Sequence, residues 1–140
     1  MKIEISESAY KTPAFALIAE GWNEMVQASL TTDGQALWPV GGDDTVLYTT
    51  LDSGEVVGVL VLASEGAPYA RAARVTLAYV EPSMRKKGVF KAMLAAALDV
   101  AKSKQMSKVS ISCSPDAGVM QLVMRKFDIP VATVTYELGV

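Results

Sequence analysis

Between Arg74 and Ala101 the apolar residues change their spacing once, and that change limits what the chain can build. From Arg74 to Val80 they form a β-branched, apolar run, the pattern of an extended strand. After a short basic loop, Phe90, Met93, Leu94, Ala97, Leu98 and Ala101 recur at offsets 0, 3, 4, 7, 8 and 11, one face of an α-helix. Lys108 to Cys113 is extended again. Ser114-Pro115-Asp116 then opens a further helix, with Met120, Val123, Met124 and Phe127 as its buried face, and Pro130 stops it before a closing strand from Val131 to Leu138. A strand-helix-strand succession needs a crossover, so at least one strand pair is parallel.

The first half has a different grammar. Lys2 to Ser6 alternates as a strand, and Thr12-Pro13 supplies an N-cap followed by proline at the first helical position. Phe15, Ile18, Trp22, Met25 and Val26 predict one apolar stripe on a helix reaching about Ser29. Thr31 to Asp44 is loop-like. Thr45 to Leu51 and Val56 to Ala63, joined by Asp52-Ser53-Gly54-Glu55, predict a hairpin, which is antiparallel. The second of these runs is apolar almost throughout, so it belongs in the middle of a sheet with both faces covered. The expected fold class is α/β: a mixed, mostly antiparallel sheet of about six strands flanked by three or four helices. With 140 residues, 51% of them apolar, and no internal repeat, one domain over residues 1–140 is expected.

Composition removes several chemistries. There is no histidine, so Ser-His and Cys-His nucleophilic catalysis are excluded, and a single cysteine, Cys113, predicts neither a disulfide nor a metal site. No apolar stretch approaches the length that spans a bilayer, and the first residues lack the basic start and apolar block of a signal peptide, so a cytoplasmic protein with no membrane partner is expected. The net charge of −2 hides an asymmetry. Residues 1–70 hold two basic against ten acidic residues, a net −8, while residues 71–140 hold eleven against five, a net +6. An anionic partner for the second half and a cationic one for the first would suit this division. A nucleic-acid partner is not expected, because the chain is net acidic and has no long basic stripe with interleaved aromatics.

The loop between the strand and the long helix carries the chemistry. It reads Val80-Glu81-Pro82-Ser83-Met84-Arg85-Lys86-Lys87-Gly88-Val89-Phe90-Lys91. The first turn of a helix has unpaired N–H groups at its positive end, so main-chain amides from about Lys86 to Lys91 suit a diphosphate. Gly88 would allow close approach, and Arg85, Lys86 and Lys87 would add screened attraction. A solvated turn before a helix carries the same residue types. The context decides, because Val80, Pro82, Arg85 and Gly88 match V-x-P-x-x-R/Q-x-x-G-x-G/A, with Phe90 at the last position. The segment resembles the acetyl-CoA-binding motif of the GNAT acetyltransferase superfamily, and the order of elements resembles that family along the whole chain.

That resemblance implies an N-acetyltransferase using acetyl-CoA on a small-molecule or peptide amine. It implies that the strand from Arg74 to Val80 splays from the one at Lys108 to Cys113, with the pantetheine arm between them. Backbone of Ala78, Tyr79 and Val80 would pair with the arm, and Lys86, Lys87, Gly88, Val89, Phe90 and Lys91 would hold the phosphates. The chain departs from the pattern in two places. The tyrosine that commonly protonates the leaving thiolate aligns with Met124 or Val123, and the acidic residue some members carry at the start of the motif strand falls near Arg74. Glu81 and Glu65, at strand ends, are the candidate bases. A non-catalytic CoA-binding or structural module on the same fold is the competing expectation. One strand after the last helix, where the family usually has two, leaves a sheet edge unpaired or covered by a second copy, so a homodimer is compatible.

Overall fold

The computed structural model describes residues 1–8, 11–29, 41, 44–66, 71–111 and 125, with backbone alone over 25–29. Within them the elements run β1 (Lys2–Ser6), α1 (Phe15–Ser29), β2 (Thr45–Thr50), β3 (Val56–Glu65), β4 (Ala72–Val80), a 3-10 turn (Pro82–Met84), α2 (Val89–Ser103) and β5 (Val109–Ile111). The expected helix after Ser114, the closing strand from Val131 and the loop from Thr31, apart from Gly41 and Asp44, lie outside the described residues.

The five strands among the described residues stand in chain order in one sheet. The pairs β1–β2, β2–β3 and β3–β4 are antiparallel, and β4–β5 is parallel. The fold is therefore mixed α/β with a mostly antiparallel sheet. The crossover through α2 is what makes the last pair parallel, since a strand-helix-strand unit returns its second strand in the direction of the first. Among the described residues, each face of the sheet is covered by one helix. Val46, Tyr48, Val59, Val61 and Leu77 face α1, where Leu17 and Ile18 meet them. Leu47, Leu60, Leu62, Ala73 and Val75 face α2, where Val89, Met93, Ala97 and Ala101 meet them. The central placement expected for β3 holds: it is buried without interruption from Val57 to Leu62 because its alternate residues serve two cores.

Both helices bury part of the expected stripe, Ile18 in α1 and Met93, Ala97 and Ala101 in α2, with the inward line turned away from Phe15 and Leu98. Ala14, just before α1, is buried, as are Leu17, Ile18 and Gly21 among the described side chains of the helix, while Phe15 is 41% exposed. Thr12 caps a turn before the helix, its Oγ1 accepting from Ala14 N at 3.2 Å, and Ile18 N then donates to Ala14 O at 3.0 Å. That start sets the phase. In α2 the buried line is Val89, Met93, Ala97 and Ala101, and Leu98 is 50% exposed. Small residues beneath a helix, such as Ala97 and Ala101, let it sit close to the sheet.

Two glycines set how close the helices come. A Cβ on Gly21 of α1 would lie 2.9 Å from Tyr79 Cβ. A Cβ on Gly58 of β3 would lie 2.7 Å from Val89 Cγ1 and 3.1 Å from Met93 Cε, so the first turn of α2 rests on bare backbone. Gly58→Ala is expected to destabilise the protein by about 1–3 kcal/mol through overpacking. Urea denaturation measures it, and an unchanged midpoint would mean that α2 is not seated there.

Candidate functional site

The loop from Val80 to Val89 turns the chain out of β4 and into α2. Pro82 opens a 3-10 turn, with Met84 N donating to Glu81 O at 2.8 Å. Lys86 (φ 64) and Gly88 (φ 82) are both left-handed, and Gly88 is the N-cap of α2 with no side-chain cap. Only glycine adopts such a φ without strain, so the motif's requirement for glycine is physical at Gly88, whereas Lys86 stores about 1 kcal/mol. Left-handed residues set into a tight turn bring successive N–H groups to one side, a concavity that suits an anion.

Among the described residues, the amides of Lys86, Lys87, Gly88, Val89 and Lys91 donate no main-chain hydrogen bond, and the first turn of α2 holds no acidic residue. The space where a Gly88 side chain would stand is open for 4 Å. Lys86, Lys87 and Lys91 are exposed. The Val89 side chain is buried and the Phe90 ring packs on the α2 core, so these two residues offer the site their backbone alone. The donor set fits the diphosphate of a CoA-type ligand.

Strand β4 supplies the second part of the site. Its pairing with β5 is described at Ala73, Arg74 and Val75, and the residues that would follow Ile111 lie outside the described ones, so the expected splay falls partly there. At the other end, Glu81 N donates to Val57 O at 2.9 Å. Antiparallel alternation then turns the N–H and C=O of Tyr79 toward β3, opposite Val59, and those of Ala78 and Val80 away from it. Of the three residues expected to pair with a pantetheine arm, Tyr79 therefore has its backbone committed to the sheet. A bulge between Val61 and Leu62 of β3 leaves Thr76 of β4 without an opposite partner, and its Oγ1 is buried with no hydrogen bond.

Arg85 is not directed at the amides. Its Nε donates to Val80 O at 2.8 Å, one terminal nitrogen lies 3.3 Å from Glu24 Oε2, and the guanidinium sits 5.4 Å from the centre of the Tyr79 ring.

The two candidate bases are separated by the whole of β4, roughly 25 Å at the rise of a strand. Glu65 stands at the far end, paired with Arg74 at 3.0 Å. Glu81 stands beside the loop, at an open cleft of about 280 Å³ lined by Pro13, Ala16, Leu17 and Glu20 on the α1 side, and by Glu55 and Val56 of the hairpin. Partial desolvation, reinforced by the Glu55 carboxylate with which it shares a hydrogen bond and by Glu20, holds the Glu81 carboxyl above the usual carboxylate range. Burial, with Glu24 nearby and Arg85 opposing, raises the Tyr79 hydroxyl.

Sequence reasoning missed Glu20 and Glu55, which the fold brings to Glu81 from α1 and the hairpin turn. The one signal in the chain was Glu20 and Glu24, a helical turn apart on the polar face of α1. Tyr48 is a core residue held near Glu4, away from this site. Cys113, Tyr69, Tyr136, Val123 and Met124 lie outside the described residues.

Solved structures share this architecture over the whole chain. A ribosomal-protein-alanine N-acetyltransferase from Brucella melitensis biovar Abortus 2308 superposes with a TM-score of 0.70 at 17% identity, covering 100% of both chains. A mutant protein from Bacillus halodurans gives 0.76 at 13% identity, covering 100% of this chain and 99% of its own. The aminoglycoside acetyltransferase AAC(6')-Iy, solved with a CoA-based bisubstrate analogue, gives 0.67 at 17% identity, covering 100% of both chains. No curated protein matches by sequence. At these identities the superpositions show the fold alone. A sequence model of the Acetyltransferase (GNAT) family matches residues 13–125, most of the chain and all of the loop just described, and the protein belongs to that family.

Proposed function

We propose that the chain is an N-acetyltransferase that moves an acetyl group from acetyl-CoA to an amine. The observation that carries this reading is the row of unpaired main-chain donors at the start of α2, opened by left-handed Gly88 and uncontested by any acidic side chain in the first turn. When bound, acetyl-CoA supplies the activated acyl group: the amine nitrogen bonds to the thioester carbon as the carbon–sulfur bond breaks, and the thiolate takes a proton from solvent.

The chain's own residues do the rest. Amides at Lys86, Lys87, Gly88, Val89 and Lys91 hold the diphosphate, and the lysine side chains of the loop add attraction that salt screens. Ala78 and Val80 turn their N–H groups to the ligand side of β4, where Ala78 is suited to polarise a carbonyl. The acidic cleft fits a cationic acceptor, in keeping with the aminoglycoside and ribosomal-protein substrates in the names of its structural neighbours. Glu81, with its raised carboxyl, is placed to accept the ammonium proton through water. Glu65 is committed to Arg74 and belongs to the other end of the sheet.

One observation favours a second reading, a fold that binds CoA without turning it over. Arg74 stands where some family members carry an acidic residue, and its guanidinium is occupied by Glu65. Acetyl-CoA turnover against a panel of amines separates the two readings.

Calorimetric titration with acetyl-CoA and with unreactive desulfo-CoA is expected to show micromolar binding of both. Gly88→Asp, which puts a carboxylate and a strained φ into the cradle, is expected to weaken binding at least tenfold, about 1.4 kcal/mol, with folding intact. Unchanged affinity would sink the cradle.

Glu81 yields a pH test. Its proton is held more tightly in the folded than in the unfolded chain, so ionising it lowers stability as pH rises from the unfolded value through the raised folded one. Glu81→Gln is therefore expected to raise Tm at pH 7.5 relative to the unsubstituted protein, with the gain vanishing near pH 4. A gain that is constant with pH would show that the Glu81–Glu55 repulsion is not its source.

A further inference from the structure

Three groups from two elements, β4 and α1, meet at the Arg85 guanidinium. Its Nε donates to the Val80 carbonyl at the end of β4 (2.8 Å), a terminal nitrogen pairs with Glu24 of α1 (3.3 Å), and its face lies over the Tyr79 ring (5.4 Å). An in-plane fork and a stacking face in one group are properties of guanidinium that an ammonium lacks. Tyr79 is itself wedged against α1, since a Cβ on Gly21 would touch it at 2.9 Å. One turn before Glu24, the same helix presents Glu20 to the acidic cleft.

We propose that Arg85 is a positioning residue and not a phosphate ligand: it clamps the loop that bears the diphosphate amides onto β4 and α1, so that the cofactor cradle and the amine cleft keep one geometry. The role in binding rests on the reading of the α2 N-terminus as the CoA site. The clamp also limits the ligand. With its carbonyl taken by Arg85, Val80 offers a strand-like arm its N–H, and Ala78 offers both its N–H and its C=O. The charge that draws phosphate then falls to Lys86 and Lys87, which are exposed and form no ion pair among the described residues.

The test compares Arg85→Ala, Arg85→Gln, Glu24→Gln and Lys87→Gln by two measurements. Amide order parameters of residues 86–89 are read by NMR in the ligand-free protein, and desulfo-CoA affinity is read by calorimetry at low and high salt. Arg85→Ala is expected to lower the order parameters and to weaken desulfo-CoA roughly tenfold, the scale of a charge-assisted hydrogen bond plus an exposed ion pair, with the salt dependence unchanged. Glutamine at position 85 keeps an N–H donor for the Val80 carbonyl without the charge, and is expected to recover most of the order and affinity. Glu24→Gln is expected to cost less and to add nothing to Arg85→Ala, whereas Lys87→Gln flattens the salt dependence. Unchanged order parameters in Arg85→Ala overturn the proposal, as does a loss that flattens the salt dependence and is not recovered by glutamine, the behaviour of a charge paired with phosphate. If desulfo-CoA fails to bind the unsubstituted protein, the CoA reading falls, while the order parameters still decide the clamp.

Discussion

The seating of α2 on the bare backbone of Gly58 is the contact on which the site depends. Val89 and Met93 descend to a strand position that has no side chain, and this draws the helix N-terminus to the end of the sheet where β4 leaves it. The chain then has only the loop from Glu81 to Gly88 in which to reverse. A short reversal at that distance uses left-handed backbone at Lys86 and Gly88, and the same geometry gathers the loop amides on one side. Packing in the core and the gathering of free amides at the surface are thus consequences of one close approach.

The other face of the sheet holds the opposite charge. Helix α1 comes close at Gly21 against Tyr79, and with the hairpin turn it surrounds Glu81 with Glu20 and Glu55. The division of charge between the chain's two halves acquires a location here: the loop lysines come from the basic half, while Glu20, Glu24 and Glu55 come from the acidic one. Glu81 crosses that division, being the acidic residue that the motif strand delivers into the acidic cleft. The raised Glu81 carboxyl follows first from its partial desolvation in that cleft and then from the neighbouring Glu55 and Glu20 carboxylates.

Arg85 shows how residue type and residue role separate. By composition the run Arg85-Lys86-Lys87 is three equal cations. In the fold the first is engaged by a carbonyl, a carboxylate and a ring, and the other two remain exposed. The planar group is used where several partners must be met at fixed angles, and the flexible ammonium groups where only charge is needed.

Much of this was legible in the order of residues alone. The period change between Val80 and Phe90 determined a strand, a turn and a helix, and the Asp52–Glu55 connection determined a hairpin, because these signals act between near neighbours and need no distant partner. The spacing of Val80, Pro82, Arg85 and Gly88 singled out the loop with its free amides for the same reason. What only the tertiary structure decided were the properties set by contact across the sheet. These include how each helix is turned about its axis, which leaves Phe15 and Leu98 outside and brings Gly21 and Val89 in; the turning of Tyr79's backbone to β3; the parting of Glu65 from Glu81; and the meeting of Glu20, Glu55 and Glu81. Side-chain period tells which residues share a face, but which face is buried, and which charges face one another, depends on how closely distant backbones approach.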